Sequence, residues 1–131
     1  MLLGITGDQL WAHVLGDYVV QSDWMAMHKR KSLIACGAHA ISYGFGFWII
    51  GATLIQLVFI VGTHFVIDHL ALARYLCWFK NKIWAWKSYP SFAECDGTGY
   101  PNDRDAWMTV WLYIADNLCH VTCNAVAFGL L

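Results

Sequence analysis

Histidine and aspartate occur in this sequence as pairs with one spacing. Three pairs are separated by four positions: His13 with Asp17, His64 with Asp68, and Asp116 with His120. Residues four apart lie on the same face of an α-helix, so each pair can direct an imidazole nitrogen and a carboxylate oxygen to one point. Mixed histidine and aspartate ligand sets suit zinc, manganese or iron. The spacing therefore makes these six residues candidate ligands for one or two divalent metal ions.

Three further side chains belong to this hypothesis. His39 stands in an apolar stretch between the first two pairs, and we expect it to act as a metal ligand or as a catalytic general base. Gln21 follows Asp17 by four positions and Asn124 follows His120 by four, which places both amides on the same helical faces. Metal ligands need neighbours that orient them, so Gln21 and Asn124 are expected to support the ligands rather than to bind metal.

A simpler explanation applies to each pair taken alone. A histidine and an aspartate four positions apart can form a hydrogen bond within one helix and pack against a neighbour without any ion. Three such pairs, with His39, in otherwise apolar segments instead favour a shared polar site. The spacing alone leaves open whether this site holds metal.

The composition indicates a membrane protein. Of 131 residues, 59% are hydrophobic and 13% are charged, whereas about 25% of residues are charged in soluble proteins. The stretch from Leu33 to Ile67 contains no Asp, Glu, Lys or Arg, and about 20 apolar residues are enough to cross a bilayer. We therefore expect an integral membrane protein whose partners are membrane lipids. The net charge of −1 gives no indication of nucleic-acid binding.

The apolar runs predict an all-α fold, a four-helix transmembrane bundle formed by a single polytopic domain over residues 1–131. The predicted helices cover about residues 5–28, 33–50, 54–79 and 106–130, with a loop over 80–105. All Lys and Arg residues then fall on one side, so the positive-inside rule places the loop between helices 3 and 4 in the cytoplasm and both termini outward. Small residues in the second helix favour close packing between copies, and hence a homodimer.

The first predicted helix carries a recognisable signature. It resembles the opening of an uncharacterised family of small integral membrane proteins of bacteria and bacteriophages, present here as His13-x-x-Gly16-Asp17-x-x-x-Gln21-x-Asp23-Trp24. Members also have a histidine in the second helix, a Thr-His-x-x-x-Asp and a C-terminal Asp-x-x-x-His, which match His39, Thr63 to Asp68, and Asp116 to His120. This family is similar, more distantly, to predicted membrane-bound metal-dependent hydrolases. The resemblance implies a helical fold with a His/Asp metal site in the inner membrane of a bacterium or a phage-infected host.

Three functions follow from these patterns. The first is a metal-dependent hydrolase that cleaves a lipid-linked or membrane-delivered phosphate or ester. The second is a proton or metal-ion pathway, because ionisable residues inside a membrane also mark ion routes. The third is a phage-type membrane protein that acts in lysis or exclusion. The sequence has no His-Glu-x-x-His or Gly-x-Ser-x-Gly motif that would favour the enzyme directly.

Overall fold

The structure, a computed structural model, describes residues 4–131 and is all-helical over that range apart from its loops. The predicted all-α class is therefore confirmed. Over these described residues, six α-helices follow one another in the order α1 Gly7–Val14, α2 Asp23–His28, α3 Leu33–Ile49, α4 Leu54–Leu70, α5 Ala73–Trp84 and α6 Met108–Leu130. A π-helical turn, Leu15–Val20, continues α1, and a short 3-10 turn, Phe92–Glu94, follows α5.

The first predicted helix, about 5–28, is divided into three segments. Thr6 begins α1, with its hydroxyl oxygen accepting a hydrogen bond from the backbone N–H of Gln9 at 3.3 Å. The π-turn ends at Gln21, whose ψ of 117° is extended. Ser22 then begins α2, and its hydroxyl accepts from the backbone N–H of Met25. A serine whose hydroxyl accepts from an unpaired N–H in the first turn stabilises the start of a helix. Ser22 therefore favours the break between the π-turn and α2.

The third predicted helix, about 54–79, is also broken. It forms α4 and α5, separated at Ala71, which has a φ of 49° in the left-handed region. None of the described helices has by itself both the length and the apolar character of a membrane span, whereas α4 and α5 have them jointly as an interrupted pair. The second predicted helix, about 33–50, corresponds closely to α3, and the fourth, about 106–130, corresponds to α6.

The described chain forms two compact units, one of residues 4–70 with 120–131 and the other of residues 71–119. Tyr43 and Phe47 of α3 are fully buried in the core of the first unit, together with Ile60 of α4. A Cβ atom on Gly16 would lie only 2.5 Å from Cδ2 of Tyr43 and 3.1 Å from its Cα. Glycine at position 16 therefore allows the π-turn to lie directly against α3.

The second unit packs α5 and the start of α6 with the loop between them. Its core contains Cys77 of α5 and Tyr100 of the loop. Within the loop, the carboxylate of Asp96 accepts hydrogen bonds from the backbone and the hydroxyl of Thr98 and pairs with Arg104. Burial raises the pKa of the Asp96 carboxyl, but the Thr98 hydrogen bonds and the Arg104 charge outweigh burial and hold the pKa below its usual value.

Replacing Gly16 with alanine should destabilise the first unit. The new Cβ would overlap the ring and approach the backbone of Tyr43, so the π-turn and α3 would have to move apart. Overpacking of this kind costs about 1–3 kcal/mol. We expect a lower melting temperature for the Gly16→Ala protein in detergent, measured by circular dichroism.

Gly37→Ala provides the matched control for this measurement. Gly37 lies inside α3, and a Cβ atom there meets no other atom within 4 Å. Alanine in an open helical position stabilises by about 0.5–1 kcal/mol relative to glycine. If Gly16→Ala melted at or above the wild-type temperature, the close approach to Tyr43 would not be required for stability.

Candidate metal centre

Four donor atoms meet at one point in the first unit. Nε2 of His39 and Nε2 of His64 are 2.9 Å apart. Oδ1 of Asp17 lies 3.3 Å from the His39 nitrogen and 3.4 Å from the His64 nitrogen. Oδ2 of Asp68 lies 3.2 Å from each of the same two nitrogens. The π-turn, α3 and α4 therefore direct two nitrogens and two carboxylate oxygens into one small space, which we call the four-atom group.

The separations within the four-atom group have the size expected around one divalent ion. Zinc binds histidine nitrogen and carboxylate oxygen at about 2.0–2.2 Å, which places neighbouring ligand atoms roughly 3–3.5 Å apart. The five distances given above lie between 2.9 and 3.4 Å. Unprotonated imidazole nitrogens and carboxylate oxygens all present lone pairs, so they repel one another unless a cation or shared protons lie between them. The donor set and its spacing fit a divalent metal ion.

Three residues of the four-atom group are buried, and the side chain of the fourth, Asp17, is 12% exposed. His39 is 0% exposed, His64 is 1% exposed and Asp68 is 3% exposed. Removing an ionised carboxylate from water costs several kcal/mol. The attraction of a nearby cation is of similar size and can offset this cost. Oδ1 of Asp17 and Nδ1 of both histidines also lack a hydrogen-bond partner among residues 4–131. The Asp17 oxygen thus faces two imidazole nitrogens at 3.3 and 3.4 Å without a hydrogen bond of good geometry, an arrangement that a bound cation stabilises.

The second carboxylate oxygens of Asp17 and of Asp68 each lie close to a further histidine. Nδ1 of His13 lies 3.3 Å from Oδ2 of Asp17. Nε2 of His120, on α6, lies 3.4 Å from Oδ1 of Asp68. Both histidines are buried. His13 and His120 therefore lie beside the two carboxylates of the four-atom group. Ligand atoms of His120, Asp17 and His64 also lie within 4.8 Å of one another, so His120 is itself a candidate ligand.

Asp116 is the remaining predicted ligand. It lies on α6, four residues before His120, and is partly buried within the second unit. Its role as a metal ligand stays a prediction.

Tyr43 belongs to the site although its residue type did not suggest it. Its hydroxyl lies 2.9 Å from Nδ1 of His13 and accepts a hydrogen bond from the Asn124 amide at 2.6 Å. Its ring stacks on that of His64, with centroids 3.8 Å apart, and His64 stacks in turn on His120 at 4.0 Å. Tyr43 thus contacts two histidines of the site directly, His13 and His64. The available signal was its place four residues after His39, on the same face of α3.

Lys29 is a second site residue that spacing did not identify. Its ammonium nitrogen lies 3.0 Å from Oδ2 of Asp68. Gln21 lies between this lysine and the π-turn. In the amide orientation that satisfies both neighbours, its nitrogen donates to the backbone carbonyl of Asp17 at 2.9 Å and its oxygen accepts from Lys29 at 3.3 Å. Gln21 and Asn124 thus do not contact the four donor atoms themselves. Gln21 hydrogen-bonds to the Asp17 backbone and to Lys29. Asn124 hydrogen-bonds to the Tyr43 hydroxyl.

Comparison with known proteins gives a family but no described relative. Neither a curated protein nor a solved structure matches the chain. Residues 5–130 match the family described as protein of unknown function DUF3307. The match covers both units of the fold and every residue of the site. The chain therefore belongs to the DUF3307 family.

Proposed function

We propose that this protein is a membrane-embedded, metal-dependent hydrolase that cleaves a lipid-linked or membrane-delivered phosphate or ester. The observation that carries the proposal is the four-atom group, in which two imidazole nitrogens and two carboxylate oxygens are spaced as ligands of one ion. A divalent ion bound there supplies Lewis-acid chemistry to a phosphoryl or carbonyl oxygen. The resemblance to predicted membrane-bound metal-dependent hydrolases supports the same reaction class.

The number of protein ligands bears on which ion is used. A tetrahedral zinc ion with four protein ligands is typical of a structural site, because no position is left for water or substrate. Manganese and iron accept six ligands, so the same four side chains leave two positions open. We therefore favour manganese or iron(II) for hydrolysis, and expect zinc to bind without supporting turnover.

Each site residue receives a role from its contacts. Asp17, His39, His64 and Asp68 bind the ion. His13 and His120 hold the outer carboxylate oxygens and keep the inner ones directed at the ion. Because Nε2 of His39 is itself a member of the four-atom group, we assign His39 as a ligand rather than as the general base.

The distribution of polarity supports a membrane location. Large apolar side chains lie on the exterior, including Ile34 at 78% and Leu54 at 77% exposed, whereas His39, His64 and Asp68 are buried in the interior. A soluble protein rarely exposes so extensive an apolar surface. In a bilayer the arrangement is favourable, because lipid covers the apolar exterior and the polar groups satisfy one another inside. The polar groups also crowd one point, which supports a compact binding site over a continuous ion pathway.

Metal retention tests the ligand assignment. Wild-type protein, dialysed against a weak chelator, should keep about one equivalent of manganese, iron or zinc by elemental analysis. Asp68→Asn should lose it, because loss of a ligand weakens binding by more than the roughly 10–100-fold that loss of a supporting residue costs. Asp23→Asn, an exposed aspartate of the same signature, should retain the metal. Full retention by Asp68→Asn would show that Asp68 is not a ligand.

Turnover tests the reaction class. Manganese-loaded wild-type protein should release inorganic phosphate from a lipid phosphate monoester in mixed micelles. His39→Ala should lose metal and turnover together, since we assign His39 as a ligand; loss of turnover with the metal retained would instead make it the general base. A metal-loaded protein that cleaves neither phosphate nor carboxylic esters, yet conducts ions in liposomes, would replace the hydrolase with an ion pathway.

The proposed location has its own test. After expression in a bacterium, the wild-type chain should remain in the membrane pellet through alkaline carbonate extraction, because its apolar exterior requires lipid. His64→Ala should fractionate in the same way, since location depends on the exterior and not on the metal. Release of the wild-type protein into the supernatant would contradict membrane insertion.

A further inference from the structure

Lys29 shares a carboxylate oxygen with the four-atom group. Its Nζ lies 3.0 Å from Oδ2 of Asp68, the oxygen that is also 3.2 Å from Nε2 of His39 and from Nε2 of His64. The side chain of Lys29 is 21% exposed, whereas that of Asp68 is 1% exposed. The ammonium group therefore lies at an accessible edge of the four-atom group.

The backbone around Lys29 holds this position. Its N–H donates to the carbonyl of Met25 at the end of α2, and its carbonyl lies 3.0 Å from Nδ1 of His69 on α4. The two following basic residues, Arg30 and Lys31, are exposed. Of these three basic residues, Lys29 is the one whose ammonium group contacts the four-atom group. A general preference for positive charge at a helix end does not account for this contact.

An ion bound to the four-atom group would change which anionic group the Lys29 ammonium can pair with. A divalent ion and an ammonium group beside one carboxylate oxygen compete for its lone pairs and repel each other. Once Asp68 binds the ion, the ammonium donors favour another anionic partner within reach. A phosphoryl group has several charged oxygens, so one can face the ion while another accepts from lysine, which binds phosphate as a point charge.

We propose that Lys29 is a substrate-binding residue that selects phosphorylated substrates, holding one phosphoryl oxygen beside the metal centre. This inference rests on the proposed function and narrows its substrate from phosphates or esters in general to phosphates. A neutral carboxylic ester has no anionic oxygen for the ammonium group to bind. The shared chemistry of lipid phosphates and free phosphate is the dianionic phosphoryl group.

The test uses cobalt(II) as a spectroscopic probe and inorganic phosphate as the ligand. Purified full-length protein in detergent is loaded with cobalt, and its visible absorption spectrum is followed during phosphate titration. Phosphate should change the wild-type spectrum. Lys29→Met should bind phosphate at least about tenfold more weakly, as expected for loss of a charged hydrogen bond, and Lys29→Arg should restore part of the affinity. Lys31→Met, which removes the same charge from an exposed position, should match the wild type.

The cobalt affinity separates this inference from a purely structural role for Lys29. If Lys29 binds substrate, Lys29→Met should hold cobalt as tightly as the wild type or more tightly, because a competing cation has gone. If Lys29 only supports Asp68, cobalt affinity should fall about 10–100-fold, and the inference would be overturned. Unchanged phosphate affinity in Lys29→Met, or no phosphate binding to cobalt-loaded wild type, would also overturn it while leaving the metal site intact. Failure of the wild type to bind cobalt or manganese would instead reject the proposed function itself.

Discussion

The close approach of two carboxylates, one buried and one partly buried, to two buried imidazole nitrogens is the constraint on which the first unit depends. Each buried charge costs several kcal/mol unless it is paired, and Asp68 is almost completely removed from solvent. Lys29 on one side and His120 on the other partly compensate Asp68, and His13 compensates Asp17. Each of these partners comes from a different segment of the chain. The segments can therefore pack only in an arrangement that brings the partners together.

The irregular backbone of the N-terminal segment helps to bring its side chains to the site. Asp17 lies in a π-helical turn, a feature that occurs often at functional sites because its extra residue redirects the side chains around it. Gly16, in the same turn, removes the Cβ that would meet Tyr43. The break at Gln21 and Ser22 then allows α2 to end at His28, so that Lys29 follows it with its ammonium group beside Asp68. The interruptions that shorten the first predicted helix are thus the features that complete the site.

The site is organised in two layers with different chemical purposes. The inner four atoms have the composition and spacing of ligands for one ion. The outer layer of His13, His120 and Tyr43 contacts the inner side chains through ion pairs and ring stacking. A rigid inner layer is what both a stable metal site and a hydrolytic centre require, since ligand direction controls affinity and reactivity. Membership of the DUF3307 family is consistent with either use.

The sequence by itself determined the helical class and much of the site. A spacing of four within apolar segments identified His13, Asp17, His64, Asp68 and His120, which the structure brings together with His39, because the geometry of an α-helix is local and follows from the residues in it. Tertiary structure decided which oxygen faces which nitrogen, where the predicted long helices break, and that Tyr43 and Lys29 join the site. These features depend on contacts between segments distant in sequence, and periodicity within one helix contains no information about its rotation relative to another. For that reason a basic run that appeared to mark only a helix end supplies, through Lys29, a charge beside the buried Asp68 carboxylate of the first unit.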